Sequence, residues 1–155
     1  MDVNFTYLTV LVYIFNRKGE VLLQKKARGF GKGKWNGPGG KINQGEAPEE
    51  AARREVKEET TLKIKKIEPQ GIIEFVFPHK IESSNYCYVY ICRDFSGKPF
   101  NTGEGELKWF KTEELPLEEM WDDDRYWLPS VLAGEKVHIR FYFDKNEKVS
   151  KIEKL

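Results

Sequence analysis

Three glutamates at helical spacing are the residues of this chain with the clearest chemical potential. Glu55, Glu58 and Glu59 stand at positions i, i+3 and i+4, so a helix would place their carboxylates on one face within a single turn. Like charges at that spacing mildly destabilise a helix. A divalent cation turns this repulsion into ligation, since hard cations such as Mg²⁺ take oxygen ligands. The triplet therefore predicts a cation site.

The residues before the triplet predict the helix that carries it. Pro48 suits a first helical position, because its missing N–H would have no intrahelical partner there. Glu49 and Glu50 follow in the first turn, where the helix dipole favours negative charge. An alternative is a solvated helix held by i,i+4 pairs, Glu49 with Arg53 and Glu50 with Arg54. The three glutamates alone would favour that alternative, and the wider pattern described below decides against it.

A second acidic cluster lies late in the chain, where Asp122, Asp123 and Asp124 follow Trp121 and precede Trp127. Aspartates at this kind of position commonly cap a helix. Capping does not explain two neighbouring tryptophans, because an indole is usually buried or bound. Adjacent carboxyls resist double ionisation, so their pKa values separate. One could then accept a hydrogen bond from a ligand while the other, protonated, donates one.

A glycine-rich segment at 28–40 predicts a loop that approaches a ligand closely. It is not a Walker A loop, because its Gly–Lys pair is followed by Trp35 and not by Ser or Thr. We interpret it as a binding loop that presents Phe30, Trp35 and Asn36, with a flexible surface loop as the alternative. The amide of Asn36 offers both a donor and an acceptor to a ligand.

Runs of apolar, β-branched and aromatic residues predict the strands around these segments. They lie at 5–15, Val21–Lys26, Lys63–Ile67, Gly71–Phe77, Tyr86–Cys92, 136–144 and 148–153. The fourth and fifth are expected to form a hairpin, and the last two to complete a sheet edge. Phe75 shares a face with Ile73 and Phe77 by period-2 alternation, and could wall a pocket.

Composition limits the classes of function. The chain has 155 residues, which suits a single domain over 1–155, and a formal net charge of +1. This balance does not support stable nucleic-acid binding or attachment to an anionic membrane. The N-terminus lacks a basic signal-peptide region, and no apolar run is long enough for a membrane helix. Cys87 and Cys92 are five apart on one strand, so they point to opposite faces and stay reduced, which fits a cytoplasmic protein.

Taken together, residues 40–62 read G-x5-E-x7-R-E-V-x-E-E-x-T-L. This resembles the Nudix box, with Thr61 at the position of the second glycine. The resemblance implies an α/β class protein with the Nudix fold, a mixed β-sheet in an α/β/α sandwich. It also implies a pyrophosphohydrolase that uses Mg²⁺, with Mn²⁺ as an alternative. The implied metal ligands are Gly40, Glu55, Glu58, Glu59 and Glu104, and the implied catalytic residues are Arg54, Glu58 and Glu59.

The segments 26–41 and 120–129 resemble one branch of this family, the animal oxidised purine nucleoside triphosphatases that are MutT homologues. That resemblance implies hydrolysis of substrates such as 8-oxo-dGTP to the monophosphate and pyrophosphate by a monomer. The substrate contacts it implies are Thr9, Lys26, Phe30, Asn36, Phe75, Trp121, Asp123 and Asp124. The chain departs from this branch with Ala27 inserted after Lys26, and at Pro38 and Asp122, which stand where an aromatic residue and a proline are expected.

Two questions stay open from the sequence. Glu58, Glu59 or Glu104 could be the general base, whereas Arg54 is expected to position a glutamate. The substrate could also be another nucleoside diphosphate derivative, such as a dinucleoside polyphosphate, an ADP-sugar or an RNA cap. A non-catalytic nucleotide-binding module is the remaining alternative, and the intact glutamates weigh against it.

Overall fold

The structure is a computed structural model that describes residues 3–155. Its α-helices and strands, in chain order, are β1 (Tyr7–Ile14), β2 (Val21–Lys26), β3 (Trp35–Asn36), β4 (Gly39–Lys41), α1 (Pro48–Thr60), β5 (Lys63–Ile64), β6 (Ile67–Val76), β7 (Asn85–Cys92), β8 (Phe95–Ser96), β9 (Gly105–Phe110), α2 (Asp124–Leu132), β10 (Val137–Phe143) and β11 (Val149–Lys154). Short 3₁₀ turns lie at Ile81–Ser83, Thr112–Glu114 and Leu117–Glu119.

A six-stranded mixed sheet is the centre of the fold, in the order β11-β10-β6-β7-β1-β4. The pairs β1–β7 and β6–β10 are parallel, and the other neighbours are antiparallel. A smaller sheet, β3-β2-β9, lies beside it, and β5 pairs with β8. The predicted hairpin of β6 with β7 is confirmed, as is the edge formed by β10 and β11.

The two helices cover opposite faces of the central sheet because the strands alternate. On one face, Ala51, Ala52 and Val56 of α1 pack with Val10 and Val12. On the other face, α2 packs with the alternate side chains of the same strands; the buried residues there include Trp127, Leu128, Val131, Tyr13 and Phe141. This is the predicted α/β/α sandwich. Neither helix within residues 3–155 combines the length and apolar composition that a membrane crossing needs.

The two cysteines lie on β7 in different core clusters, Cys87 towards α2 and Cys92 towards α1. Both are buried and free. Their opposite orientation follows from the odd spacing along a strand, as the sequence predicts.

The predicted strand at Lys63–Ile67 is divided in the structure. Lys63 and Ile64 pair with β8, whereas Ile67 already begins β6. The register against β7 shifts between Pro69 and Gly71. A proline has no N–H for a ladder bond, so this irregularity lets β6 extend beyond the predicted start at Gly71.

Helix α1 begins at Pro48 as predicted, and the Glu50 carboxylate accepts a hydrogen bond from the Ala47 backbone N–H at 3.2 Å. The solvated-helix alternative is wrong, because neither of its ion pairs, Glu49 with Arg53 or Glu50 with Arg54, forms among residues 3–155. Arg53 donates to the backbone carbonyls of Ile64 and Lys65. Arg54 pairs with other carboxylates, as described below.

The helix ends at Thr60, and the C-cap residue that follows, Thr61, is left-handed with φ of 67°. The steric cost of that conformation for a residue with a Cβ is about 1–2 kcal/mol. This exceeds the ~0.4–1 kcal/mol that a glycine's extra freedom in the unfolded chain costs. We therefore expect Thr61→Gly to melt at a higher temperature than a variant that lacks the hydroxyl but keeps the Cβ.

The matched control is Thr61→Ala, because the Thr61 hydroxyl donates to the Lys98 carbonyl at 3.0 Å and both variants lose that bond. Only the glycine variant loses the Cβ. Thermal unfolding of both would show the glycine variant as the more stable of the two. Equal stability of the two variants would contradict the strain.

Candidate active site

One cavity of about 180 Å³ contains every residue predicted to contact substrate. Four of them lie on strands and four on α2 and the loops, in chain order Thr9, Lys26, Phe30, Asn36, Phe75, Trp121, Asp123 and Asp124. The lining also includes Gly40 and Glu59 from the Nudix-like segment. The cavity therefore joins the late acidic cluster to the glutamate helix, which are far apart in sequence. The role of each residue stays a prediction.

Two buried carboxyl groups belong to the polar lining of this cavity. Trp127 Nε1 donates to Asp123 Oδ2 at 2.7 Å. Asp123 Oδ1 and Asp124 Oδ2 have no hydrogen-bond partner among residues 3–155. Burial raises the pKa of Asp123 to about 7, and burial with the neighbouring Asp123 charge raises the pKa of Asp124 well above its usual range. The pair can therefore offer both a donor and an acceptor to a ligand near neutral pH.

The helix-capping alternative for these aspartates is not what the structure shows. Asp123 occupies the cap position of α2 but makes no capping hydrogen bond with its side chain. Asp122 points elsewhere, accepting from the Val149 backbone N–H at 2.9 Å and lying 3.3 Å from Arg125 Nε. Asp122 thus ties the start of α2 to β11 and does not line the cavity.

The raised pKa of Asp123 predicts how stability depends on pH. The folded pKa lies above the unfolded value, so the contribution of Asp123 to stability is full below about pH 4 and is lost as pH rises through about 7. The amide introduced by Asp123→Asn would not titrate. We expect the melting temperature of Asp123→Asn, measured relative to wild type, to rise steadily from pH 4 to pH 8. A difference independent of pH would contradict the buried, titrating carboxyl.

An amide lies on β3 at the same cavity. Tyr13 Oη donates to Asn36 Oδ1 at 3.3 Å, and the Gly37 backbone N–H donates to it at 2.9 Å. Both bonds use the amide oxygen, so the NH₂ group is the part that a ligand could engage. The prediction that the loop presents Trp35 to a ligand is wrong. Trp35 is buried in the core against Phe110, with ring centroids 5.0 Å apart. It is not presented to the cavity.

Aromatic rings form the apolar wall. The ring centroids of Phe30 and Trp121 lie 4.9 Å apart, and Phe77 lies 5.9 Å from Trp121. Gly31 has φ of +86°, and a Cβ there would lie 3.2 Å from Trp121 Nε1. The glycine thus lets the loop pass close to the indole. Lys34 Nζ lies 5.2 Å from the centre of the Trp121 ring, within cation–π range.

Glu59 is the glutamate of the triplet that lines the cavity. Its Oε1 accepts from the Gly39 backbone N–H at 3.0 Å. Burial is the main cause that raises its pKa to about 8, and the charges of Glu55 and Glu104 contribute. The carboxylate of Glu55 lies against Gly40, where a Cβ would come within 2.8 Å of Glu55 Cδ. Glycine at position 40 thus lets this carboxylate lie against the β4 backbone, and a Cβ there would displace it.

Arg54 holds the segment before α1 to the helix. Its guanidinium forms two hydrogen bonds with Glu46, at 2.8 and 2.9 Å, and one with Glu55 at 2.6 Å. It also donates to the Lys41 carbonyl at 2.9 Å. The hydrogen bonds from Arg54 lower the pKa of Glu46 to about 2. Arg54 does not line the cavity, so its contacts are those of a positioning residue.

The remaining predicted metal ligands are more exposed. The Glu58 side chain is 58% exposed and lies 3.4 Å from Arg54, and the Glu104 side chain lies 3.6 Å from Arg28. Within residues 3–155, no three acidic, histidine or cysteine side chains are close enough together to hold a metal ion as they stand. The five predicted ligands therefore share a region but are not assembled in one coordination sphere.

The sequence interpretation missed several side chains that line the cavity, among them Gln24, Lys34, Phe77 and Asn85. Gln24 is two residues before Lys26 on β2, so strand alternation could have placed it on the same face. Asn85 Oδ1 accepts from the Thr9 hydroxyl at 2.8 Å, across the parallel β1–β7 pair. That pairing could not be read from local sequence.

Comparison with known proteins supports the resemblance of residues 40–62 to the Nudix box, and it supports the fold. Residues 6–131 match the family described as NUDIX domain. The chain belongs to the Nudix family. It is 35% identical to the oxidized purine nucleoside triphosphate hydrolase of Danio rerio, over 92% of this chain and 91% of that protein. It is 34% identical to the protein of the same name from Mus musculus, over 96% and 93% of the two chains.

The fold comparison is consistent with this membership. The crystal structure of a MutT mutator protein from Bacillus halodurans superposes with a TM-score of 0.81 at 26% sequence identity, covering 95% of this chain and 96% of the other. Membership of a hydrolase family makes this Nudix protein an enzyme of the pyrophosphohydrolase type. The predicted family and fold are thereby confirmed.

Proposed function

We propose that this Nudix protein hydrolyses oxidised purine nucleoside triphosphates such as 8-oxo-dGTP, giving the monophosphate and pyrophosphate and so removing damaged nucleotides from the pool used for DNA synthesis. The observation that carries the proposal is the pair of buried aspartates with unpaired oxygens in the same cavity as Glu59. A purine edge would complete hydrogen bonds that the protein leaves unmade. The two relatives named above act on substrates of this class.

The base would be recognised by stacking and by its polar edge. Trp121 offers an aromatic face in the cavity, and base–aromatic stacking tolerates any base. Asp123, Asp124 and the NH₂ group of Asn36 offer hydrogen bonds that depend on which groups the base edge carries. A site that hydrogen-bonds its substrate rejects analogues that leave buried groups unpaired. Selectivity should therefore depend on the amide and the carboxyls.

The triphosphate would lie towards α1. Lys26 lines the cavity, and its charge offsets part of the rise in the pKa of Glu59, so a cationic group is near the carboxylates. The possible metal ligands there are all oxygen atoms. The absence of a side chain at Gly40 lets the Glu55 carboxylate lie against the backbone. This set fits Mg²⁺ or Mn²⁺ in kind. The residues that would hold the cation are Gly40, through its carbonyl, Glu55, Glu58, Glu59 and Glu104.

When bound, the cation would offset charge on the polyphosphate and lower the pKa of a water molecule. Arg54 would keep Glu55 and the segment before α1 in place through the hydrogen bonds described above. A glutamate would accept the proton of the attacking water, and Glu58, Glu59 and Glu104 are the candidates. Glu59 already lines the cavity, which supports it as one of these candidates.

The proposal places the protein in the cytoplasm as a monomer acting on free nucleotides. A formal net charge of +1 gives no general attraction to nucleic acid. Both cysteines are free and buried, as expected of a reducing compartment.

Pyrophosphate release from a nucleotide panel tests the proposal against its alternatives. The panel contains 8-oxo-dGTP, 2-oxo-dATP, dGTP, a dinucleoside polyphosphate, an ADP-sugar and a capped RNA, each with Mg²⁺ and with excess chelator. We expect metal-dependent release that is fastest with the oxidised purines. Preference for the ADP-sugar, the dinucleotide or the cap would replace the substrate assignment, and binding without turnover would indicate a non-catalytic module.

A further inference from the structure

Gln24 is a buried amide in the cavity that the proposed reaction has not yet used. It lies on β2, is only 6% exposed, and lines the cavity. Its Nε2 has no hydrogen-bond partner among residues 3–155. A buried donor without a partner carries the full cost of its lost hydration. Gln24 therefore carries a donor that no described protein group uses, beside a cavity that suits a ligand.

The neighbours of Gln24 show that an apolar residue would suit the fold. Its side chain shares the face of Leu22, which is fully buried in the α1 core, and Leu107 lies opposite it on β9. Leucine or methionine would continue this apolar layer without an unpaired group. The chain instead places an amide here, so packing does not account for it.

The position of Gln24 is between the two ends of the cavity. In the small sheet it lies directly opposite Asn36, on the side of the base-reading groups. Its Cγ lies where a Cβ on Gly105 would come within 2.9 Å, and Gly105 directly follows Glu104. Lys26, two residues along the same strand face, lies near enough to Glu59 for its charge to offset part of the rise in the pKa of Glu59. Gln24 thus lies where the base end of the cavity meets the carboxylate end.

We propose that Gln24 is a further substrate-contacting residue, whose side-chain N–H donates to an oxygen of the nucleotide's α-phosphate. The inference rests on the proposed function, since it assumes a purine at the aspartate end and phosphates at the glutamate end. An anionic oxygen is the acceptor that best offsets a buried, unpaired donor. Gln24 would then fix the phosphate nearest the sugar, whereas Asn36 and the aspartates fix the base.

The test compares binding of a nucleoside with binding of its 5′-monophosphate by calorimetry. The probes are 8-oxo-2′-deoxyguanosine and 8-oxo-dGMP, which differ only in the α-phosphate. Loss of one hydrogen bond to a charged group should weaken binding by about 10-fold or more. We expect Gln24→Met to weaken binding of the monophosphate by that factor. Its affinity for the nucleoside should stay within about 2-fold of the wild-type affinity, because Gln24 does not contact the base.

Asn36→Ala is the matched control, because it alters a neighbouring amide that is assigned to the base and should weaken both probes. Gln24→Met should also melt at a higher temperature than wild type in the absence of nucleotide, since it removes an unpaired buried donor. Should Gln24→Met fold poorly, Gln24→Glu keeps the shape while replacing the N–H donor with an anion, and should weaken the monophosphate selectively.

The inference would be overturned if Gln24→Met bound the monophosphate as tightly as wild type does. The same holds for Gln24→Glu if only that variant folds. An equal loss of affinity for both probes would also overturn it. Either outcome leaves the proposed function intact, because the wild type would still bind and hydrolyse the oxidised purine. A wild type that binds neither probe would overturn both the inference and the proposed function.

Discussion

Replacing Glu59 with glutamine is expected to lower kcat by at least ~10²-fold, the usual loss when a catalytic acid–base group is removed. Glu59 lines the cavity, is flanked by the charges of Glu55 and Glu104, and has a pKa raised to about 8. These features suit either a metal ligand or a general base. The amide oxygen of glutamine can still accept from the Gly39 N–H, so the fold should persist.

Glu49→Gln is the matched control, since it makes the same change at an exposed position on the same helix and should leave kcat within ~2-fold, as expected of a surface substitution. Circular dichroism and thermal unfolding would show that both variants are folded. A folded Glu59→Gln protein with near-wild-type turnover would contradict the carboxylate site.

The same substitution at Glu58 and Glu104 can separate the ligand role from the base role. A lost ligand should raise the Mg²⁺ concentration needed for half-maximal rate, so excess cation restores part of the rate. A lost base should leave that concentration unchanged and remove the rise of kcat with pH. The variant that loses the pH dependence identifies the base among Glu58, Glu59 and Glu104.

Base choice is the second large expected effect, and Asp124→Asn is the variant that tests it. Asp124 is buried with Oδ2 unpaired, and its pKa is raised well above the usual range. Asparagine replaces a group that can be protonated or ionised with a fixed amide. We expect the ratio of kcat/KM for 8-oxo-dGTP over dGTP to change by at least ~10-fold, the value of one charged hydrogen bond.

Trp121→Ala should behave in the opposite way. Removing the stacking face should weaken binding of 8-oxo-dGTP, 2-oxo-dATP and dGTP by about 1–3 kcal/mol each. The ratios of kcat/KM between these substrates should stay nearly constant. The two variants therefore separate edge reading from stacking. Unchanged selectivity in Asp124→Asn would contradict the assignment of the aspartates to the base edge.

The sequence predicted the elements whose signals are local. Pro48 opens α1, alternation places Phe75 with Ile73 and Phe77 towards α2, and odd spacing separates Cys87 from Cys92. Local sequence could not fix the left-handed φ of Thr61, because the backbone conformation at a helix end depends on the chain that follows.

The site was predictable where a motif fixes residue types, and less so where packing decides. Arg54 could have paired with Glu50, but folding brings Glu46 and Lys41 within reach of its guanidinium. Trp35 belongs to a glycine-rich segment of the sequence, yet in the structure it lies on β3 and packs in the core against Phe110 of β9. Gln24 was missed because a glutamine among apolar strand residues carries no motif, and its exposure depends on long-range pairing.

The most direct test of the central claim is the wild-type ratio of kcat/KM for 8-oxo-dGTP over dGTP, measured with Mg²⁺ and with the products identified. We expect a ratio well above one, with 8-oxo-dGMP and pyrophosphate as the products and no turnover in excess chelator. A ratio of one or less, or release of inorganic phosphate instead of pyrophosphate, would contradict it.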